Sequence, residues 1–262
     1  MNDSPIGVFD SGMGGLTVWR ELRKLLPGES LIYFGDGKNC PYGHKPKREV
    51  TGYVDAAVGE LVAQGVKMVV VACNAATAAA IGFLRERYPI PFVGMEPAVK
   101  PAALSTRSGV VGILATEAAL KGELFRATAA RYADRAKIVT AVGEDFVEIV
   151  EAGEEDTPRA ERAVRAAVEG MIAAGADRIV LGCTHYPFLE GMLRRVIDGR
   201  PIEIVNPAPA VARRAAQLLT EFDLWAEAGH VPEYRFLTAA DEAYRQALER
   251  KSRQALEAPE GE

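Results

Sequence analysis

Residues 69–77 read VVVACNAAT, and residues 178–187 read RIVLGCTHYP. Each segment is an apolar, β-branched run that ends in a cysteine, Cys73 in the first and Cys183 in the second, and small polar residues follow. Continuous apolar runs of this length are typical of strands that are buried on both faces of a parallel sheet. The two segments therefore predict buried strands that belong to an internal pseudo-repeat.

Both segments lie within a repeating pattern of short apolar runs and helical stretches. IGVFD (6–10) and LIYFGD (31–36) are followed by stretches with helical composition. Later in the chain, GVVGILAT (109–116) and AKIVTAV (136–142) continue the pattern, and a helix is expected between them over residues 120–132. Strands that alternate with helices predict parallel sheets covered by helices. The sequence therefore predicts an α/β fold of two domains with parallel-rich sheets.

Two proline-containing crossovers mark the expected domain boundaries. The loop VGMEPAVKPA contains Pro97, and the segment VNPAPAV contains Pro207. After the second crossover, the remaining helices and strand are expected to return to the first domain. Residues 1–97 together with 207–262 are thus predicted to form the first domain, and residues 98–206 the second.

Composition narrows the possible partners. The formal net charge of −5 provides no basic surplus for phosphate backbones, so nucleic acid is not expected as a ligand. No apolar run is long enough to cross a bilayer, and no leader is recognisable, so a cytoplasmic protein without membrane contact is expected.

Three cysteines are too few for a disulfide framework, and they form no Cys-x-x-Cys pair. Free thiols and no metal site are therefore predicted.

The matched positions of the two cysteines point to acid and base chemistry. Removal of a proton from one face of a carbon and its return to the other face needs two opposed groups. Cys73 and Cys183 in facing domains would meet that need, and each thiolate would need help to form. Asp10 is the candidate assistant of Cys73, and His185 with Glu151 is the candidate pair beside Cys183.

Each of these residues also has a purely structural interpretation. Asp10 and Ser11 could cap the helix that follows the glycine-rich turn, and Glu151 could be a solvated carboxylate at a helix end. His185 could be a buried histidine with satisfied hydrogen bonds. The segment CPYG at 40–43 could be a simple turn, although it could also present backbone donors to an anion.

Taken together, the motifs resemble those of the glutamate racemases in the aspartate/glutamate racemase superfamily. The resemblance runs from the first strand almost to the C-terminus, and it rests on GVFDSGMGGLTV, YFGD followed by CPYG, VVVACN, VEAG, GCTHYPFL and FLTAAD. It implies interconversion of L- and D-glutamate without pyridoxal phosphate or any other cofactor, and a supply of D-glutamate for peptidoglycan. It also implies two pseudosymmetric α/β domains, an active site in the cleft between them, and a homodimer.

The resemblance assigns roles residue by residue. Cys73 and Cys183 would each serve one face of the amino acid, with Asp10 assisting the first thiol and the Glu151 and His185 pair assisting the second. The residues expected to bind the substrate are Asp10, Ser11, Pro41, Tyr42, Gly43, Asn74, Ala75, Thr116, Thr184 and His185.

This sequence departs from the family pattern at three places. Ala75 replaces the threonine of the usual C-N-T, and Ala119 replaces the second threonine of A-T-x-x-T. Residues 37–39 read GKN where the family usually has T-A-R. Each lost hydrogen bond to a charged carboxylate would cost about 1.5–3 kcal/mol if nothing replaced it. Water, Thr77 or Lys38 could supply replacement donors.

Two alternatives therefore remain open. A related racemase could act on aspartate, a hydantoin or another amino acid derivative. A binding protein without catalytic activity could close on a small acid, although such a protein would have little reason to keep both thiols and their assistants. Exchange of the α-proton with solvent would distinguish an enzyme from a binding protein.

Overall fold

The computed structural model describes residues 2–95 and 97–257. The strands, numbered in chain order, are β1 Ile6–Asp10, β2 Leu31–Gly35, β3 Met68–Val71, β4 Phe92–Gly94, β5 Val110–Ala115, β6 Lys137–Val142, β7 Arg178–Gly182, β8 Glu203–Val205 and β9 Tyr234–Thr238. The helices are α1 Leu16–Leu25, α2 Lys47–Ala63, α3 Asn74–Arg87, α4 Val99–Ser105, α5 Glu117–Lys121, α6 Glu123–Arg131, α7 Phe146–Ala152, α8 Pro158–Ala173, α9 Glu190–Ile197, α10 Ala208–Glu221 and α11 Glu242–Glu257. A 3₁₀ turn spans Tyr186–Leu189.

The strands form two parallel sheets whose orders repeat. The first sheet has five strands in the order β4-β3-β1-β2-β9, and the second has four in the order β6-β5-β7-β8. Read from its other edge, the second sheet runs β8-β7-β5-β6, which matches β4-β3-β1-β2 of the first. In this correspondence β3, which precedes Cys73, is equivalent to β7, which precedes Cys183. The predicted α/β fold is confirmed, and the repeated strand order agrees with the proposed pseudo-repeat.

The central strands are buried on both faces. All residues of β1, β3 and β7 are buried, and hydrophobic clusters lie on either side of each sheet. Helices α1, α10 and α11 pack together, while α2 packs on α3 across the other face of the first sheet. This arrangement explains the continuous apolar runs that the sequence shows at these strands.

The prediction of a single helix over residues 120–132 is wrong. The segment is divided into α5 and α6 at Gly122, whose backbone is extended, with ψ of 137°. At that point the chain lies against α3, because a Cβ on Gly122 would be 3.2 Å from the Cβ of Ala78. Thr116 starts α5, since its Oγ1 accepts a hydrogen bond from the Ala119 amide at 3.3 Å. The chain thus breaks at a glycine that lies against α3 of the first sheet.

The β9 strand lies in the first sheet, paired in parallel with β2. The boundaries predicted at residues 97 and 207 stay a prediction, and residues 258–262 of the predicted first domain lie outside the described part of the chain. Within residues 2–95 and 97–257, no helix combines the length and the apolar character that a bilayer crossing requires.

Candidate active site

The carboxyl ends of the central strands of both sheets border one small cleft. Asp10 ends β1, Cys73 follows β3, and Cys183 follows β7 directly. The cleft is tight, because the centre of a water molecule could occupy only about 20 Å³ of it. Its lining consists of Ser11, Pro41, Tyr42, Gly43, Cys73, Asn74, Ala75, Thr116, Val147, Cys183, Thr184 and His185. Except for Val147, every one of these residues was expected from the sequence, so the structure brings the predicted set together from distant parts of the chain.

Cys73 is the residue that precedes α3. Its thiol contacts the Ser11 hydroxyl at 3.5 Å, and its sulfur accepts a hydrogen bond from the Ala76 amide at 3.4 Å. Burial raises the pKa of this thiol to about 12, with the Asp10 charge adding to the effect and the Ala76 and Ser11 contacts opposing it. With its pKa raised in this way, Cys73 is a protonated thiol at neutral pH.

Asp10 is fully buried beneath the cleft and does not line it. Its Oδ2 accepts the Gly12 amide at 3.0 Å, and its Oδ1 accepts the Thr184 hydroxyl, also at 3.0 Å. Burial raises the pKa of Asp10 in spite of the opposing charge of His185 and these hydrogen bonds. A carboxyl group with a raised pKa and electrostatic contact with Cys73 is suited to exchange a proton with that thiol.

Beside the second thiol, His185 and Glu151 form a buried pair. His185 Nε2 lies 2.6 Å from Glu151 Oε1, and His185 Nδ1 lies 3.8 Å from Cys183 Sγ. Burial opposes charge on the imidazole, but its contacts with Cys183, Cys40 and Glu151 outweigh burial and raise its pKa well above the ordinary value. Burial likewise opposes ionisation of Glu151, yet the donors around it lower its pKa. At neutral pH the pair is therefore imidazolium and carboxylate.

The interpretation of Glu151 as a solvated carboxylate is therefore wrong. Its side chain is only 18% exposed, although it lies in α7, because it crosses to the glycine-rich turn after β1. There Oε1 accepts the Met13 amide at 2.7 Å. This contact joins α7 to the turn that follows β1. Spacing in the sequence alone could not predict it, because the two residues are 138 positions apart.

Two glycines of that turn allow the pair to approach the backbone. A Cβ on Gly12 would lie 2.2 Å from Glu151 Oε1, and a Cβ on Gly14 would lie 2.3 Å from His185 Nδ1. Real Cβ atoms are not found this close to other heavy atoms, so any side chain here would displace the acid and base groups. The absence of side chains at Gly12 and Gly14 thus lets Glu151 and His185 pack against the backbone of the turn.

Asn74 carries the polar group of the cleft that lacks a partner. Its side chain is 4% exposed, and neither its Nδ2 nor its Oδ1 has a hydrogen-bond partner among the described residues. A buried amide without partners costs about 1–3 kcal/mol. Because Asn74 lines the cleft, a ligand with carboxylate or ammonium groups would satisfy it.

Several of the residues expected to bind the substrate use their polar groups in hydrogen bonds within the protein. The Tyr42 hydroxyl donates to Asp36 Oδ2 at 2.5 Å, and the Thr184 hydroxyl donates to Asp10. Gly43 accepts the Ala118 amide at 3.3 Å through its carbonyl oxygen. These residues line the cleft as expected. The hydroxyl hydrogens of Tyr42 and Thr184 are already donated within the protein, so they are not available to a ligand.

Of the suggested replacement donors, Thr77 and Lys38 do not line the cleft. The Thr77 hydroxyl donates to Val71 O at 3.2 Å and accepts the Met95 amide at 3.0 Å. Lys38 is exposed and does not line the cleft. Ala119 lines a separate, smaller pocket together with Asn74 and Thr77. Of the two threonine replacements, only Ala75 faces the cleft directly.

Sequence reasoning missed three residues around the site. Val147 contributes an apolar wall from α7. Cys40 lies beside His185, and burial raises the pKa of its thiol to about 11. Tyr244 reaches Glu151 from α11, and its hydroxyl donates to Oε2 at 2.7 Å. The CPYG motif could have drawn attention to Cys40, but no sequence signal connects α11 to Glu151.

Cys40, Glu151 and His185 are the one potential set of metal ligands in the described ranges, with donor atoms within 4.8 Å of one another. Ligand atoms on a tetrahedral zinc ion are ~3.3 Å apart when each is 2.0–2.1 Å from the metal. The 2.6 Å between His185 Nε2 and Glu151 Oε1 is instead a hydrogen-bond distance. As arranged, this set fits proton transfer better than a metal, and the absence of a metal site stays a prediction.

Known proteins resemble this chain along nearly its whole length. The family model described as Asp/Glu/Hydantoin racemase matches residues 6–215. Glutamate racemase from Herpetosiphon aurantiacus is 44% identical over 253 residues, which are 95% of this chain and 99% of the relative. Glutamate racemase from a Roseiflexus species is 50% identical over 218 residues, which are 83% of this chain and 80% of the relative. Escherichia coli glutamate racemase, solved in complex with L-glutamate, is similar with a TM-score of 0.84 at 31% identity, covering 96% of this chain and 95% of that one.

Substitution of Gly14 tests the close approach of the glycine turn to His185. In Gly14→Ala the imidazole must leave its present position among Cys183, Cys40 and Glu151, whose contacts raise its pKa. We therefore expect the pKa of His185 to fall toward its ordinary value, measured by NMR titration of the imidazole. The matched control is Gly52→Ala, where a Cβ meets nothing within 4 Å. An unchanged His185 pKa in Gly14→Ala would contradict the packing argument.

Proposed function

Because this chain belongs to the Asp/Glu/Hydantoin racemase family, we propose that it is a glutamate racemase that interconverts L- and D-glutamate without a cofactor. Membership of the family confirms the resemblance carried by the sequence motifs. The proposal extends to the use of D-glutamate in peptidoglycan synthesis. The homodimer that the resemblance implies stays a prediction.

One observation carries the proposal. Two thiols, Cys73 and Cys183, line the same small cleft and come from equivalent strands of two parallel sheets. An α-carbon held in this cleft would have one thiol toward each face. Racemisation needs such a pair, because the proton leaves one face and a different proton arrives at the other.

In the proposed reaction, one cysteine acts as thiolate and removes the α-proton, so an S–H bond forms while the C–H bond breaks. The electron pair left on carbon delocalises into the substrate carboxylate. The opposite thiol then gives its proton to the other face and becomes a thiolate. The product has the opposite configuration, and the two thiols have exchanged protonation states.

Each thiol would receive help from its own neighbours. Asp10 would take the Cys73 proton, which the burial of that thiol otherwise retains. On the other side, the His185 imidazolium would stabilise the Cys183 thiolate, and Glu151 would hold the imidazolium in place. The Cys73 thiolate would thus be assisted by a buried carboxyl group, and the Cys183 thiolate by an ion pair.

Recognition of the amino acid would use the carboxyl edge of the first sheet. The N-terminus of α3 offers backbone N–H groups and a favourable dipole to a carboxylate. The Asn74 amide lies at the same place without a partner. E. coli glutamate racemase is described in complex with L-glutamate, which supports glutamate over aspartate as the substrate of this related chain.

The direct test is to incubate L-glutamate and L-aspartate separately with purified protein in deuterated buffer without pyridoxal phosphate. We expect the circular dichroism signal of glutamate to decay while deuterium enters its α position, and aspartate to remain optically active. Decay with aspartate alone would favour the related racemase. Binding of either acid without α-deuterium would favour the non-catalytic alternative and overturn the proposal.

Substitution of Asn74 separates recognition from folding. Asn74→Ala should weaken glutamate binding about ten-fold or more, because a hydrogen bond to a charged group is lost. The melting temperature without ligand should not fall, since the amide has no partner to lose. Calorimetric titration and thermal denaturation would measure the two effects.

Asn206→Ala is the matched control for this substitution. The Asn206 side chain accepts the Ala208 amide at 3.0 Å at the start of α10. Its loss should lower the melting temperature and leave glutamate affinity unchanged. Wild-type affinity in Asn74→Ala would remove Asn74 from the proposed binding site.

A further inference from the structure

Tyr244 connects the last helix to the Glu151 carboxylate. Its hydroxyl donates to Glu151 Oε2 at 2.7 Å, while Oε1 accepts the Met13 amide and faces His185 Nε2. Both oxygens of the carboxylate are therefore held, and the donors come from three separate segments of the chain. With both oxygens occupied, the carboxylate plane is fixed relative to the imidazole.

Gly37 provides the space that the Tyr244 ring occupies. A Cβ on Gly37 would lie 2.3 Å from the ring Cζ, 2.4 Å from Cε1 and 2.6 Å from Cε2. The Gly37 backbone does not require the left-handed region, so the ring, and not backbone strain, excludes a side chain here. The departure from the T-A-R pattern at this position thus accompanies the contact between Tyr244 and Glu151.

We propose that Tyr244 is a positioning residue for the Cys183 side of the site, and that Gly37 admits it. The inference rests on the proposed racemase function and adds α11 to the machinery that orients the Glu151 and His185 pair. A fixed carboxylate holds the imidazolium at the distance from Cys183 at which it stabilises the thiolate. Small displacements of such groups lower rates by about a hundred-fold in other enzymes.

The charges around Glu151 determine the expected pH effect. The titratable groups that face it from neighbouring elements are His185 after β7, Cys40 after β2, Tyr33 in β2 and Tyr244 in α11. Burial raises the pKa of Tyr244, as does the charge of Glu151, so the phenol remains a donor across the working range. Its hydrogen bond contributes to the lowered pKa of Glu151. Loss of the phenol should therefore raise the pKa of Glu151.

The decisive variant is Tyr244→Phe, which keeps the ring and removes only the hydroxyl. We expect kcat/KM for glutamate to fall about ten-fold, and the acidic limb of its pH profile to move to higher pH, because Glu151 is protonated sooner. Alkylation by iodoacetamide, followed by peptide mapping, should slow at Cys183 and stay unchanged at Cys73. The second readout needs no turnover.

Gly37→Ala should reproduce these effects by displacing the ring. In the double variant with Tyr244→Phe it should add nothing, because the hydroxyl that it displaces is already gone. The control is Lys251→Gln, which removes a different contact of α11, the ion pair with Glu155. It should leave the pH profile and Cys183 alkylation as in the wild type.

Either of two results would overturn the inference. One is a Tyr244→Phe variant with the wild-type pH profile and wild-type Cys183 alkylation. The other is a Lys251→Gln variant that shifts both as much as Tyr244→Phe does, because Tyr244 would then only dock the helix. If the wild type does not racemise glutamate, the proposed function fails, while Cys183 alkylation still decides the role of Tyr244.

Discussion

Burial of the two thiols is the constraint on which the site depends. Cys73 and Cys183 are 5% and 7% exposed at the ends of strands that are themselves buried. Burial excludes water from a carbanion, and it also disfavours the thiolate that must form it, as the raised pKa of Cys73 illustrates. Asp10 on the Cys73 side and the His185–Glu151 pair on the Cys183 side are the groups that would offset this cost of burial.

The two thiols are supported by unlike neighbours although their strands are equivalent. The charge of Asp10 acts on Cys73, and burial raises the pKa of the Asp10 carboxyl group. Beside Cys183 lies the charged pair of His185 and Glu151. A hydrogen bond from Thr184 to Asp10 crosses between the strand ends of the two sheets and couples these arrangements. Equivalent folds can therefore place the same reactive group in two different electrostatic settings.

Much of the fold was predictable because strands buried on both faces leave continuous apolar runs. The segments before Cys73 and Cys183 are such runs, and the repeated strand order around them agrees with the pseudo-repeat. The break at Gly122 was not predicted, because a single glycine inside a helical stretch does not by itself end a helix. Contacts between segments that are distant in the sequence, such as the approach of Gly122 to Ala78, leave no periodic signal.

The same distinction applies to the site. Residues next to strand ends could be named from the sequence, since parallel strands bring their carboxyl ends to one edge. The direction of each hydroxyl could not: Tyr42 and Thr184 line the cleft as expected, and their hydroxyls donate to Asp36 and Asp10. Tyr244 was missed because its link to Glu151 depends on how α11 lies across the molecule.

The substitutions Cys73→Ala and Cys183→Ala test whether two opposed thiols carry the proton. Each purified variant would be given L-glutamate and D-glutamate in deuterated buffer, with circular dichroism of the protein to verify its fold. We expect both variants to keep the fold and to lose interconversion of the enantiomers, because each lacks the proton carrier for one face. Wild-type racemisation by either folded variant would contradict this expectation.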